Sequence, residues 1–344
     1  LQGIASHQSI IKTTIRDNKQ PALCAATIGI AIFNVFSIKN EKAIESVIRL
    51  SDSNVTMKGL ASNFSALAAD ALDSGQGSPI AVVGIAMNTN ADLATLQVLN
   101  SSLLLIGSAA LSSNITAVGL NAVACVGVSI VEKDSSPLSP NAPIMPQVHV
   151  LNSNITFAAS ASNNSSITST GAQYGPTVAG IFVYSDIYPP TIDVNSSSIS
   201  LLGLVEGNSR MAATTSKESG SAVLGIGTFV WLSKTAIDIH NSKVTFLGFA
   251  NTASTITVNT AYNLAVLLGI AAVTASSYAT GTVDVSGTDF TAHSLTDGKS
   301  AMRLSSDAGG CLLGFAAKSW VRMGASTSAW AIAKEGSVVL SKML

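Results

Sequence analysis

The chain has little charge, few aromatic rings and almost no residues of the kinds that carry catalysis or bind metals. Only 11% of its 344 residues are Asp, Glu, Lys or Arg, and the formal net charge is −1. So sparse and balanced a charge excludes the basic footprint of a nucleic-acid binder and a solvating acidic tail. Aromatics make up 5%. The four histidines, His7, His149, His240 and His293, show no ligand spacing, so neither a metal nor any other cofactor is expected. There is no GxSxG elbow and no P-loop. Cys24, Cys125 and Cys311 are an odd number, far apart; they read as small buried hydrophobes with no intrachain disulfide. Long apolar runs are missing too. The longest, Pro21 to Phe36, includes Asn34 and falls short of the ~20 residues a spanning helix needs.

The abundant residues are apolar or small and hydroxylic. Hydrophobics reach 47%, Ser and Thr together number 77, and there are 27 Gly. Mean hydropathy is +0.44, which argues against disorder and is high for a surface wholly open to water. A short pattern recurs: Ser53-Asn54-Val55-Thr56-Met57-Lys58-Gly59, Ser197-Ser198-Ile199-Ser200-Leu201-Leu202-Gly203 and Ser242-Lys243-Val244-Thr245-Phe246-Leu247-Gly248, with looser copies from Ser101, Ser153, Thr288 and Gly336. Between these lies a second version, such as Val82-Val83-Gly84-Ile85, Val223-Leu224-Gly225-Ile226 and Leu267-Leu268-Gly269-Ile270. Placed in one series by the Gly position, from Gly3 to Lys342, the two versions alternate with a mean step of about 24 residues.

Within the first version, apolar residues stand two and four before the Gly, with Thr or Ser between them. That is the period of a strand with one face inside. Strands at such a spacing, without helical patterns between them, predict an all-β chain: one parallel β-helix domain over residues 1–344, with about 14 rungs of ~24 residues. Its variable step fits a right-handed coil with unequal loops. On these residues the chain resembles the pectin-lyase-like right-handed parallel β-helix superfamily, and in character the repetitive surface β-helices of autotransporter passengers and protist surface proteins. The resemblance implies the fold; its strand signature implies no activity.

Val55, Leu103, Ile155, Ile199, Val244 and Phe290 are expected to share one interior column, with successive members two rungs, roughly 10 Å, apart. Four residues before the strand anchors stand Arg49, Gln97, His149, Asp193, Asp238 and Asp284. No catalytic residue is expected; under the alternative, enzymatic reading alone, Asp193, Asp238 and Asp284, with His149, would form the catalytic set. On the same two-rung spacing, with neutral Thr215 and Asn259 between, the carboxyls would lie about 10 Å apart, at the edge of an inverting glycosidase geometry. The preferred reading of the row is a solvated polar column on the outer face. Eight Asn-x-Ser/Thr sequences, at Asn54, Asn63, Asn100, Asn114, Asn154, Asn163, Asn164 and Asn195, are candidate glycan sites.

Residues 132–146, with four prolines, are expected to protrude as a loop, because proline cannot continue the ladder. Tyr184 and Tyr188, and Trp320, Arg322 and Trp330, are candidate interface residues if exposed, or shields over core and strand edges if not. Both ends match the repeat, which predicts a segment of a longer chain that stacks on further β-helix segments or on copies of itself. The expected function is a non-enzymatic extracellular or cell-surface structural or adhesive β-helix, part of a surface protein or filament, with no nucleic-acid partner and no transmembrane segment. A polysaccharide lyase or glycoside hydrolase working from the acidic face is the alternative.

Overall fold

The computed structural model describes residues 1–5, 8–14, 25–34, 46–70, 80–89, 94–132, 147–185, 189–215, 222–230, 234–260, 265–274, 281–306, 310–317, 320–323 and 328–334. All the regular elements among them are strands, and every strand pairing is parallel. The strands form three sheets of eight, twelve and seven members. No helix among the described residues is long and apolar enough to cross a membrane. The chain is a parallel β-helix, as its period-2 patterning requires.

One turn of the coil visits each sheet in order. In the fourth coil, Val148–Leu151 lies in the seven-stranded sheet, Asn154–Ser162 in the eight-stranded sheet, and Ser166–Ser185 runs the whole width of the twelve-stranded sheet. Asn114–Glu132 does the same one coil earlier, and in the remaining coils the strand is split, as in Arg210–Thr215 and Ala222–Val230. The predicted interior column is present: Val55 pairs with Leu103, Leu103 with Ile155, Ile155 with Ile199, Ile199 with Val244 and Val244 with Phe290.

The rung count is corrected. These column neighbours sit on directly paired strands, one strand spacing of ~4.8 Å apart, and not two rungs apart. The ladder serines place successive coils 48, 52, 44, 45 and 46 residues apart. The two glycine versions are therefore different sides of one coil of about 45–50 residues. Gly59, Gly107, Ala159, Gly203, Gly248 and Ser294 stack in the eight-stranded sheet. Gly29, Gly84, Gly127, Gly180, Gly225, Gly269 and Gly314 stack in the twelve-stranded sheet. Eight strands at that spacing give ~34 Å between the first and last.

Close approach explains why each version stacks on its own kind. A Cβ on Gly127 would lie 2.0 Å from the carbonyl oxygen of Gly180, and one on Gly84 would lie 1.8 Å from that of Gly127. In the eight-stranded sheet the glycine faces inward instead. A Cβ on Gly59 would meet the Val83 side chain at 2.4 Å, and one on Gly107 would meet Val126 at 2.4 Å.

Strands of the seven- and eight-stranded sheets alternate buried and part-exposed residues. Ala222–Val230 is buried throughout, so both faces of that strand are covered. There Tyr184 is 2% exposed and stacks on Phe229, with ring centroids 5.7 Å apart. Tyr184 is thus a shield and not a free interface anchor. Tyr188 and residues 133–146 lie outside the described residues. Trp320 and Arg322 fall in the strand Trp320–Met323 and Trp330 in Ser328–Lys334, with only their backbone placement described.

Cys125 is buried and free. Its Sγ lies 3.0 Å from the Thr168 carbonyl oxygen, and burial pushes the thiol up to about 12. Cys311 lies in a strand four pairings away, ~19 Å at strand spacing, half the distance that fourteen rungs would give and still beyond bridging.

Candidate functional site

Two turns per coil build the polar face. At the turn from the seven- to the eight-stranded sheet, one residue takes a left-handed conformation: Asp52, Asn100, Asn152, Ser196, Asn241 or Gly287, with φ from 48° to 57°. Asn, Asp and Gly accept that conformation more readily than other residues. The next residue is always Ser or Thr, buried or nearly so. Ser53, Ser101, Ser153, Ser197 and Ser242 each donate the backbone N–H to the hydroxyl one coil on, at 3.0–3.2 Å. The hydroxyls in turn donate to backbone carbonyls, as Ser153 Oγ does to Leu151 (2.7 Å), with Val98 O at 3.0 Å as the other acceptor in reach. A second ladder, Ser65, Ser113, Ser165, Ser209, Ser254 and Ser300, repeats the arrangement at the following turn.

Beside the first ladder runs an open polar groove of about 590 Å³, with Asn152, Asn154, Ser196, Asn241, Lys243 and Asp289 on its walls. Asn152 donates to Asn100 (3.4 Å) and Asn100 to Asp52 (3.3 Å), forming an amide chain along the axis. Lys243 and Asp289 are strand neighbours at its far end. The sequence gave no sign of the groove, because its walls come from positions 44 to 46 residues apart.

On the neighbouring seven-stranded sheet the expected column is complete: Arg49, Gln97, His149, Asp193, Asp238 and Asp284 are successive strand partners, followed by the position of Arg322. His149, Asp193, Asp238 and Asp284 are thus brought together on four adjacent strands. No intervening rung separates them, and Thr215 and Asn259 belong to the twelve-stranded sheet. The carboxyl-bearing positions are ~4.8 Å apart, half the expected spacing. Inward neighbours such as Ile192, Val194, Ile237 and Ile239 are buried, which turns the aspartates outward.

His149 Nδ1 lies 2.9 Å from Asp193 Oδ2, with the two side chains 29% and 34% exposed. His240 Nδ1 lies 2.5 Å from Ser286 Oγ. Asp238, flanked by a carboxylate on each side, has its pKa raised above the ordinary 3.8. Loss of solvation is the main cause, Asp284 and Asp193 add to it, and His240 opposes it. A carboxyl with a raised pKa set among other carboxyls is the kind of grouping acid–base chemistry draws on. Among the described residues no group of three or more His, Cys, Asp or Glu is placed to hold a metal ion.

No family model matches the chain, and no curated protein or solved structure is detectably similar to it.

Proposed function

We propose that this chain is a non-enzymatic structural or adhesive β-helix acting outside the cell or at its surface, within a larger surface protein or filament. Kinship with the pectin-lyase-like superfamily belongs to the same proposal and rests on the Ser-x-apolar-Thr-apolar-x-Gly strands. The observation that carries the functional reading is the outward face of the eight-stranded sheet. Leu202, Leu204, Leu247, Phe249 and Leu295 alternate with the buried residues of three adjacent strands, and Leu204 is 42% exposed. A flat patch of apolar side chains on a parallel sheet suits lateral packing against another surface. The polar columns at the turns are largely engaged in hydrogen bonds along the ladders. Protease shaving of intact cells, followed by peptide mapping, tests the location. Release of peptides from this chain supports the reading, and protection of the whole chain in intact but not lysed cells defeats it.

The column of Asp193, Asp238 and Asp284 favours a second reading, a polysaccharide-processing enzyme. Carboxyl positions ~4.8 Å apart come close to the ~5–5.5 Å of a retaining glycosidase. Release of reducing ends from a panel of neutral and acidic polysaccharides, abolished by Asp238→Asn, would establish it in place of the first.

A further inference from the structure

All eight Asn-x-Ser/Thr sequences precede residue 198, and none of the five later asparagines belongs to one. The structure sorts the eight by what the side chain already does. Asn100 both donates to Asp52 and accepts from Asn152. Asn114 accepts from the Ser166 hydroxyl at 2.7 Å, and Asn195 from that of Ser196 at 3.1 Å. Asn163 is exposed, but its Oδ1 would lie only 3.2 Å from a Cβ placed on Gly207, so it sits close over that residue, and Asn63 is half-buried. Asn54, Asn154 and Asn164 are exposed, and among the described residues their side chains make no hydrogen bond. Asn54 and Asn154 open the strands Asn54–Ser62 and Asn154–Ser162. They occupy one outward column with Ser102 between them, ~9.6 Å apart at strand spacing. Asn164 stands at the turn that follows Asn154–Ser162.

We propose that Asn54, Asn154 and Asn164 carry N-linked glycans; the inference rests on the surface reading above. In the transfer, Asn Nδ2 bonds to the anomeric carbon of an oligosaccharide carried on a polyprenyl diphosphate. The bond from that carbon to the diphosphate oxygen breaks, its electron pair leaves with the diphosphate, and Nδ2 gives up one proton. The fold accepts a branched sugar at these positions without losing a ladder bond. A glycan at each end of Asn154–Ser162 brackets that strand's outer face. The next strands, Ser198–Glu206 and Lys243–Ala250, are not bracketed. Asn208 and Asn241 occupy the equivalent turns, but Arg210 and Lys243 stand where the motif needs Ser or Thr. Those two strands carry Leu202, Leu204, Leu247 and Phe249, so glycans would cover the first coils and leave the apolar patch bare.

The test is site mapping on the chain isolated from the cells that make it. Treatment with peptide N-glycosidase in ¹⁸O-water and mass spectrometry reads each formerly glycosylated Asn as labelled Asp. The expected result is label at Asn54, Asn154 and Asn164. Unmodified Asn54 and Asn154 in a chain that protease shaving finds at the surface overturns the inference and leaves the surface reading standing. So does modification confined to Asn100 or Asn114. A chain protected from protease in intact cells removes the surface reading itself, and unmodified sites in it remove both.

Discussion

At the residue scale, a hydroxyl at each turn connects two coils, and it is hard to replace because it both accepts and donates. Ser153 shows this most fully: its Oγ accepts from the Ser101 N–H at 3.0 Å and donates its one proton to the Leu151 carbonyl, with the Val98 carbonyl as a second acceptor within reach. Ser153→Ala leaves a buried N–H without its acceptor, which costs about 1–3 kcal/mol. Ser153→Thr should cost much less, because Thr288 fills the same place in the column and accepts from Ser242. Urea unfolding of the two variants checks this; equal midpoints would show that the ladder hydroxyl is dispensable. Asp238 gives a second residue-scale prediction. Its folded pKa is raised, so the native chain binds more protons than the unfolded one between the ordinary value near 3.8 and the folded value. The associated stability is fully present below 3.8 and is lost as pH rises through the folded pKa. Acidification across that window should therefore raise the contribution of this site, and Asp238→Asn should flatten the dependence. Denaturant midpoints measured from neutral pH downward for both chains give the slope; a slope unchanged in the variant would place its source elsewhere.

At the element scale, the strands and their order along the axis were legible in the sequence, and the distance between them was not. Alternation of apolar and hydroxylic residues around Val55, Ile155 and Val244 marks a strand and its inner face without reference to any neighbour, so the interior column came out in the correct order. The same holds for Arg49, Gln97, His149 and the three aspartates. What failed was distance. Glycines 59 and 84 look equivalent in a linear pattern, and only close packing distinguishes them: one faces inward onto Val83, while the other lies under the backbone of Gly127. The two contiguous valines before Gly84, against the alternation before Gly59, were the available signal. Once the versions are separated, the 45 residues between Asp193 and Asp238 become one coil and the carboxyls become neighbours. The same packing yields a prediction. Facing the inward glycines, the twelve-stranded sheet presents Val83, Val126, Leu224 and Leu268, and in the coil where the glycine is replaced by Ala159 the matching residue is Ala179, the smallest of its column. Ala179→Val should overpack that coil by about 1–3 kcal/mol. Adding Ala159→Gly should recover most of the loss. A double-mutant cycle reads the coupling, and strict additivity of the two changes would mean that these positions do not face each other.

At the scale of the whole molecule, each coil is held mainly by the two it touches, so stability accumulates along the axis while the outer surface remains free to vary. That freedom separates the inside of the eight-stranded sheet from its outside. Inward positions are buried and mostly apolar, as with Phe157, Leu201 and Phe246, all 0% exposed. Outward positions carry Thr156, Ser200, Thr245 and Thr291 in one column, but Leu202 and Leu247, then Leu204 and Phe249, in the next two. Folding alone does not require those four to be apolar, since Ser160 takes the place of Leu204 one coil earlier with its hydroxyl on Ser108 at 2.9 Å. Their apolar character is therefore best explained by what the surface meets. Leu204→Thr combined with Phe249→Thr puts polar, β-branched side chains suited to a strand in their place. It should change stability by no more than about 1 kcal/mol, because neither residue is fully buried. The same pair should shift the chain toward monomer and weaken its retention on apolar surfaces. Light scattering after size exclusion, with denaturant unfolding run in parallel, separates the two effects. Self-association equal to that of the parent, at unchanged stability, would show that this face takes no part in assembly and would remove the main support for the structural reading.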